Sequence, residues 1–321
     1  MIDGPAEPLW LPLNHHVLPP LAVVLAAGVL VPLLLSRARW PSQAPRFAVV
    51  AWCGLAVVFT LSSAVALTQF LMPSGSGHRL PALLAACLPG TGAPWPSAAD
   101  LAGLSPAEAG ALAAGALVPL VPLVAWVRAL LGARRRRAGH AEVLRLTGRR
   151  QPRLDATLLE HETPVVYCLP GRSPQVVVSS GALKVLTDEQ LTAVLAHERA
   201  HISGRHHLLV AAAEACGSVY RWLPLGGEAR RQMRLLLEMA ADDRALRRCS
   251  RDALATALYV MASGQAPSAS FAAGGPSAVL RVRRILAPHT AGHPVLRGLF
   301  AAAAAVGALV PLLIACCSIP G

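Results

Sequence analysis

Four long, nearly uncharged apolar stretches, at 17–35, 47–71, 109–131 and 298–319, limit what this chain can fold into more than any other feature. A helix needs about 20 apolar residues to cross the hydrocarbon core of a bilayer. Inside lipid only a helix or a closed barrel satisfies every backbone N–H and C=O. Aromatic residues make up 4% of the chain against 54% hydrophobic residues, so the apolar mass is Ala, Leu and Val, which favours helices. The expected fold is a mostly α membrane protein with about four transmembrane helices. The residues before the first stretch carry Asp3 and Glu7 and no Lys or Arg, unlike a cleaved signal peptide.

The net charge of +12 is unevenly spread. Arg37, Arg39 and Arg46 follow the first stretch, Arg79 alone lies in 72–108, and Arg134–Arg137 open the segment 132–297. Basic residues collect on the cytoplasmic side of spans. The expected topology in the plasma membrane is therefore N-terminus outside and 132–297 in the cytoplasm. The Arg134–Arg137 run directly follows a span and has no interleaved aromatics, so it reads as an anchor on anionic lipid and not as a nucleic-acid site. No acidic residue lies inside the spans to mark an ion path, which argues against a transporter. The seven cysteines show no C-x-x-C pair, so neither a disulfide framework nor a cysteine metal site is expected.

The expected organisation is a membrane part (1–131, three spans), a compact part (132–297) and a last span (298–321). Within 132–297 the stretch to about Arg153 reads as a basic helix. Two β-branched runs, 164–171 and 174–181, read as strands joined by a turn. Thr187 and Gln190 have the spacing of a capping box ahead of a helix that carries His197-Glu198-Arg199-Ala200-His201. A second helix is expected over about 228–248, a mobile Gly/Ser/Pro-rich loop over 263–276, and a short basic helix near 281–286.

The H-E-x-x-H pattern on a helix sets two imidazoles one turn apart on one face, where both can bind one zinc ion. Glu198 between them can take a proton from water without being a ligand. Two residues compete as third ligand. His207 completes a literal H-E-x-x-H-x-x-G-x-x-H, but only if the helix turns sharply at Gly204. If the helix continues, His207 lies roughly 15 Å along the axis from His197. Glu238 is the other, with Asp242 one turn further on the same face and able to fix the tautomer of a ligand histidine. A carboxylate flanked by Leu235–Leu237 and Met239–Ala241 is costly unless it is paired or metal-bound. Tyr220, His206, His207 and Arg244 are candidate oxyanion donors.

The strand pair, the 191–201 helix, Glu238-x-x-Ala-Asp242 and the span pattern together resemble the membrane zinc metallopeptidases of the BlaR/MecR type. They are also similar to HtpX-like and CaaX-processing membrane proteases. The resemblance implies an α+β zincin-like (gluzincin) domain with a small β-sheet and one Zn2+. It further implies His197, His201 and Glu238 as ligands, Glu198 as base, Asp242 behind a ligand, and an edge strand that aligns substrate. A His-Pro…Arg feature of the HtpX-like group has Gly275 in place of its histidine here, so Arg281 reads as part of a surface basic helix. The chain ends at Gly321, so no C-terminal β-lactam sensor domain is expected. The expected function is a zinc metalloendopeptidase acting on a protein substrate at the cytoplasmic side, in signalling or repressor cleavage with a partner sensor or repressor. Quality control of membrane proteins and a non-catalytic zinc receptor or scaffold are the alternatives.

Overall fold

The computed structural model describes residues 17–73, 102–171, 173–265 and 275–287. Among these, three helices are long and apolar enough to cross a membrane: α1 (Leu18–Arg37), α3 (Pro45–Leu71) and α4 (Pro106–Thr147). A short helix α2 (Trp40–Gln43) joins the first two. The span expected at 298–319 lies outside the described residues.

Helix α1 contains a π-turn over Ala26–Leu30. There a Cβ on Gly28 would stand 2.8 Å from the Phe59 ring of α3, so glycine sets that close crossing. Helix α4 begins at a complete capping box between Ser105 and Glu108. It continues through Arg134–Arg137 without a break, well past the expected span end at 131.

After α4 the chain departs from the expected basic helix to Arg153. Residues Gly148–Gln151 form strand β1, and a 3-10 turn leads into β2 (Ala156–Leu159). Strands β3 (Val166–Leu169) and β4 (Gln175–Ser179) are the expected pair and run antiparallel. The sheet order is β1-β2-β4-β3, with β2 parallel to β4, so β3 is an edge strand. Neither β1 nor β2 alternates apolar and polar residues, which is why pattern reading passed over them.

Helices α5 (Ser180–Val185), α6 (Asp188–Ser203), α7 (His206–Val219), α8 (Pro224–Ala245), α9 (Arg251–Gln265) and α10 (Gly275–Leu286) follow. Of the loop expected over 263–276, the first residues belong to α9, which runs to Gln265, the last to α10, which starts at Gly275, and 266–274 lie outside the described residues. One apolar core joins β4, α5, α6 and α9 through Val176, Val178, Ala182, Leu191, Leu195 and Ala257. A second joins α7 and α8 to α1 and α3 through Ala27, Ala48, Trp52, Phe59, Cys216 and Leu225. The α7–α8 turn therefore lies beside the middle of two candidate spans. Tyr220 meets Phe59 edge-on at 4.9 Å and shares a 2.7 Å hydrogen bond with Thr60.

Candidate metal centre

Helix α6 starts where the sequence predicts. Thr187 Oγ1 accepts from the Gln190 N–H, and the Gln190 side chain accepts from the Thr187 N–H. From there Leu191, Val194 and Leu195 bury one face, and the following turn delivers His197, Glu198 and His201. Helix α8 crosses α6 and brings Glu238 and Asp242 to the same place.

His197, His201 and Glu238 each offer a ligand atom, and these atoms all lie within 4.8 Å of one another. The Nε2 atoms of the two histidines are 3.0 Å apart. Glu238 Oε2 is 3.4 Å from His197 Nε2, and its Oε1 is 3.4 Å from His201 Nε2. Donors bound tetrahedrally at roughly 2.0–2.1 Å stand about 3.3 Å from each other. The two Glu238 contacts use different oxygens, one against each ring, and the group is compact enough to close around one small divalent ion.

The electrostatics fit the same purpose. Burial disfavours the carboxylate of Glu238, yet His197, His201 and Arg281 outweigh it and hold Glu238 well below the usual range. Burial likewise opposes charge on His197, but Asp242 and Glu238 push its pKa up to about 9 when no ion is bound. Asp242 is fully buried, with Oδ1 3.0 Å from His197 Nδ1, close but off the ring's N–H axis. Burial alone would raise the Asp242 carboxyl, but Arg281 and His197 hold it down.

Two neighbours were not foreseen in these positions. Helix α10 does expose one face, with Val279, Leu280 and Leu286 outward, but Arg281 points inward from it. Its side chain is 12% exposed, with Nη1 2.8 Å from Glu238 Oε2 and a two-pronged contact to Asp242 at 2.7 and 2.8 Å. Helix α10 is anchored for this by Arg284, which donates to the Ser42 carbonyl and pairs with Asp243 at 2.7 Å. The only trace in the sequence was the Pro276-to-Arg281 spacing, discounted because Gly275 replaces the histidine.

The second is His206. Its Nδ1 lies 2.9 Å from His201 Nδ1. Burial, then His201, lowers its pKa to about 4, so it is a neutral ring able to accept from His201 Nδ1–H. Helix α6 does end at Gly204, and Arg205 takes a left-handed conformation with φ 50°. A Cβ on Gly204 would fall 2.6 Å from His206 Cδ2, so the missing side chain makes room for the ring. The break thus turns His206 back toward the centre. His207 is not part of the three-residue group and instead lines an adjoining cleft. Of the other oxyanion candidates, Tyr220 is engaged with Thr60, and Arg244 is exposed on α8.

Glu198 lines a cavity of about 400 Å³ together with His197, Arg281 and the apolar side chains Val166, Val194, Leu254 and Met261. Cys168 on β3 faces Glu198, and burial followed by that carboxylate pushes its thiol up to about 12. Edge strand β3 therefore passes directly beside the centre.

Residues 133–226 match the model of Peptidase family M48, a span that contains α6 with His197, Glu198 and His201 and ends before Glu238. No curated protein and no solved structure matches the chain. Over that stretch the chain is similar to the M48 metallopeptidases, and the His/His/Glu group has the donors to hold a metal ion.

Proposed function

We propose that this chain is a zinc-dependent endopeptidase held in the plasma membrane with its catalytic part on the cytoplasmic side, cutting a protein substrate in regulated signalling or repressor cleavage. The observation that carries the reading is the convergence of two imidazoles from one helical turn and a carboxylate from a second helix, with one ligand atom from each within 4.8 Å of the others. A structural zinc site uses four protein ligands, whereas three leave one position open for chemistry. The Arg134–Arg137 run, just past the apolar part of α4, supports the orientation.

His197, His201 and Glu238 would hold the ion. Zinc, when bound, polarises a carbonyl and lowers the pKa of water to about 7. Glu198 is the base: its carboxylate takes the proton from the attacking water and delivers it to the leaving amine. Asp242 and His206 orient the two ligand rings from behind. Arg281 keeps Glu238 and Asp242 charged, and its Nη1 is a cation at the rim of the cavity that contains Glu198. The free edge of β3 offers backbone N–H and C=O groups on which an extended substrate can add as a further strand. Substituting Glu198→Gln should leave metal content unchanged and abolish peptide cleavage. Full activity in that variant overturns the mechanism.

A further inference from the structure

A cleft of about 1240 Å³ adjoins the centre, lined by His201 and Glu238 and by Cys168 of β3 with Pro170 just after it. Its walls are helical faces. On α8, Arg231, Arg234, Leu235 and Glu238 line it at intervals of three and four residues, so the arginines share a stripe with the proposed ligand. On α4, Ala129, Ala133, Arg136 and Arg137 do the same. The stripe from Glu238 to Arg231 is about 10 Å long at 1.5 Å per residue. An extended peptide leaving the centre covers that distance in about three residues.

The charge balance of the walls is positive. Glu214 faces the cleft but is already shared by Arg234 at 2.5 Å and Arg230 at 3.1 Å. Glu228 pairs Arg231 at 2.6 Å. Glu238, the other acid of the lining, is paired with Arg281 at 2.8 Å, and among the described residues Arg136 and Arg137 have no carboxylate within ion-pair distance. Burial, and then the positive charge of Arg137 and Arg205, lowers the pKa of His207. A one-signed cleft with low-dielectric walls concentrates field and draws the opposite charge.

Building on the peptidase reading, we propose that this cleft is a substrate subsite for an acidic segment, whose Asp or Glu side chains lie a few residues to one side of the scissile bond and meet Arg136 and Arg137. The cleft opens on the proposed metal ligands and on the edge strand, so its occupant is continuous with the chain being cut. An anionic lipid headgroup shares the charge but not that continuity.

The test uses zinc-loaded full-length protein in neutral detergent. Matched peptides carry one apolar core flanked, on either side in turn, by glutamates, glutamines or lysines. Cleavage is measured with the native protein, and binding by fluorescence anisotropy with the Glu198→Gln variant. The glutamate peptide of one flank orientation should bind and be cut about tenfold better than its glutamine counterpart at low salt. The advantage should fade at high ionic strength. The combined Arg136→Gln and Arg137→Gln variant should bring the ratio close to one. Arg136→Glu with Arg137→Glu should turn the preference toward lysine, an inversion that misfolding does not produce. Equal handling of all three peptides overturns the subsite and leaves the peptidase reading standing. Glutamate-selective binding with no cleavage of any peptide supports the subsite and overturns the peptidase reading. Arginine-dependent binding to phosphatidylglycerol over phosphatidylcholine vesicles, without discrimination among peptides, assigns the cleft to headgroups and overturns the proposal.

Discussion

His206 shows what a single ring can do from behind a ligand. Partners that orient a metal-bound imidazole are typically worth 10–100-fold in metal affinity. His206→Ala should weaken zinc binding by about that factor in a chelator competition, and His206→Asn, which keeps an acceptor, should recover part of it. Gly204→Ala should act in the same direction by displacing the ring from its slot. Arg281 is bound to a fully buried carboxylate, so Arg281→Met leaves Asp242 with the His197 ring at 3.0 Å but without its two-pronged guanidinium partner. The expected loss is about 3 kcal/mol in a thermal or chemical melt of the metal-free protein. Cys168 carries a pH dependence. Its folded pKa of about 12 lies above the ordinary 9.0, so the stability it contributes is complete below pH 9 and is lost as pH rises toward 12. At pH 9 iodoacetamide should modify it roughly 500-fold more slowly than an ordinary thiol, since only the thiolate reacts.

Among the elements, the α7–α8 hairpin deserves the first mutations because its core is shared with α1 and α3. Leu225 is fully buried there, and Leu225→Ala should cost about 2–5 kcal/mol. Trp222, 77% exposed at the same turn, should tolerate alanine within about 0.5 kcal/mol. The elements also show where the sequence could be read. Helix α6 was legible because a capping box, a buried apolar face and the motif all point the same way. The β3–β4 pair was legible from β-branched runs bounded by Pro and Gly. Strands β1 and β2 were not, since Gly148-Arg-Arg-Gln151 becomes a strand only through pairing with β2. The break at Gly204 was open in the sequence because strong helix formers follow it. Packing of His206 into the glycine slot decides it. Glu238 could be singled out as a carboxylate in apolar surroundings, whereas Arg281 is far away in sequence and its place depends on how α10 docks through Arg284.

At the scale of the whole molecule, the candidate spans and the catalytic helices are one packed object. The apolar surface of α7 and α8 is covered by α1 and α3, so a fragment limited to 132–297 would expose Leu225, Met233 and Leu236. Large exposed apolar patches drive association. Such a fragment should aggregate or bind lipid vesicles, and a monodisperse fragment in detergent-free buffer would contradict the shared core. The account as a whole rests on which side chains hold the metal. The most direct measurement is the zinc content of the purified full-length protein beside Glu238→Ala and His207→Ala. The native chain and His207→Ala should each carry about one ion, and Glu238→Ala should carry almost none. A loaded Glu238→Ala with an empty His207→Ala would contradict the account at its centre.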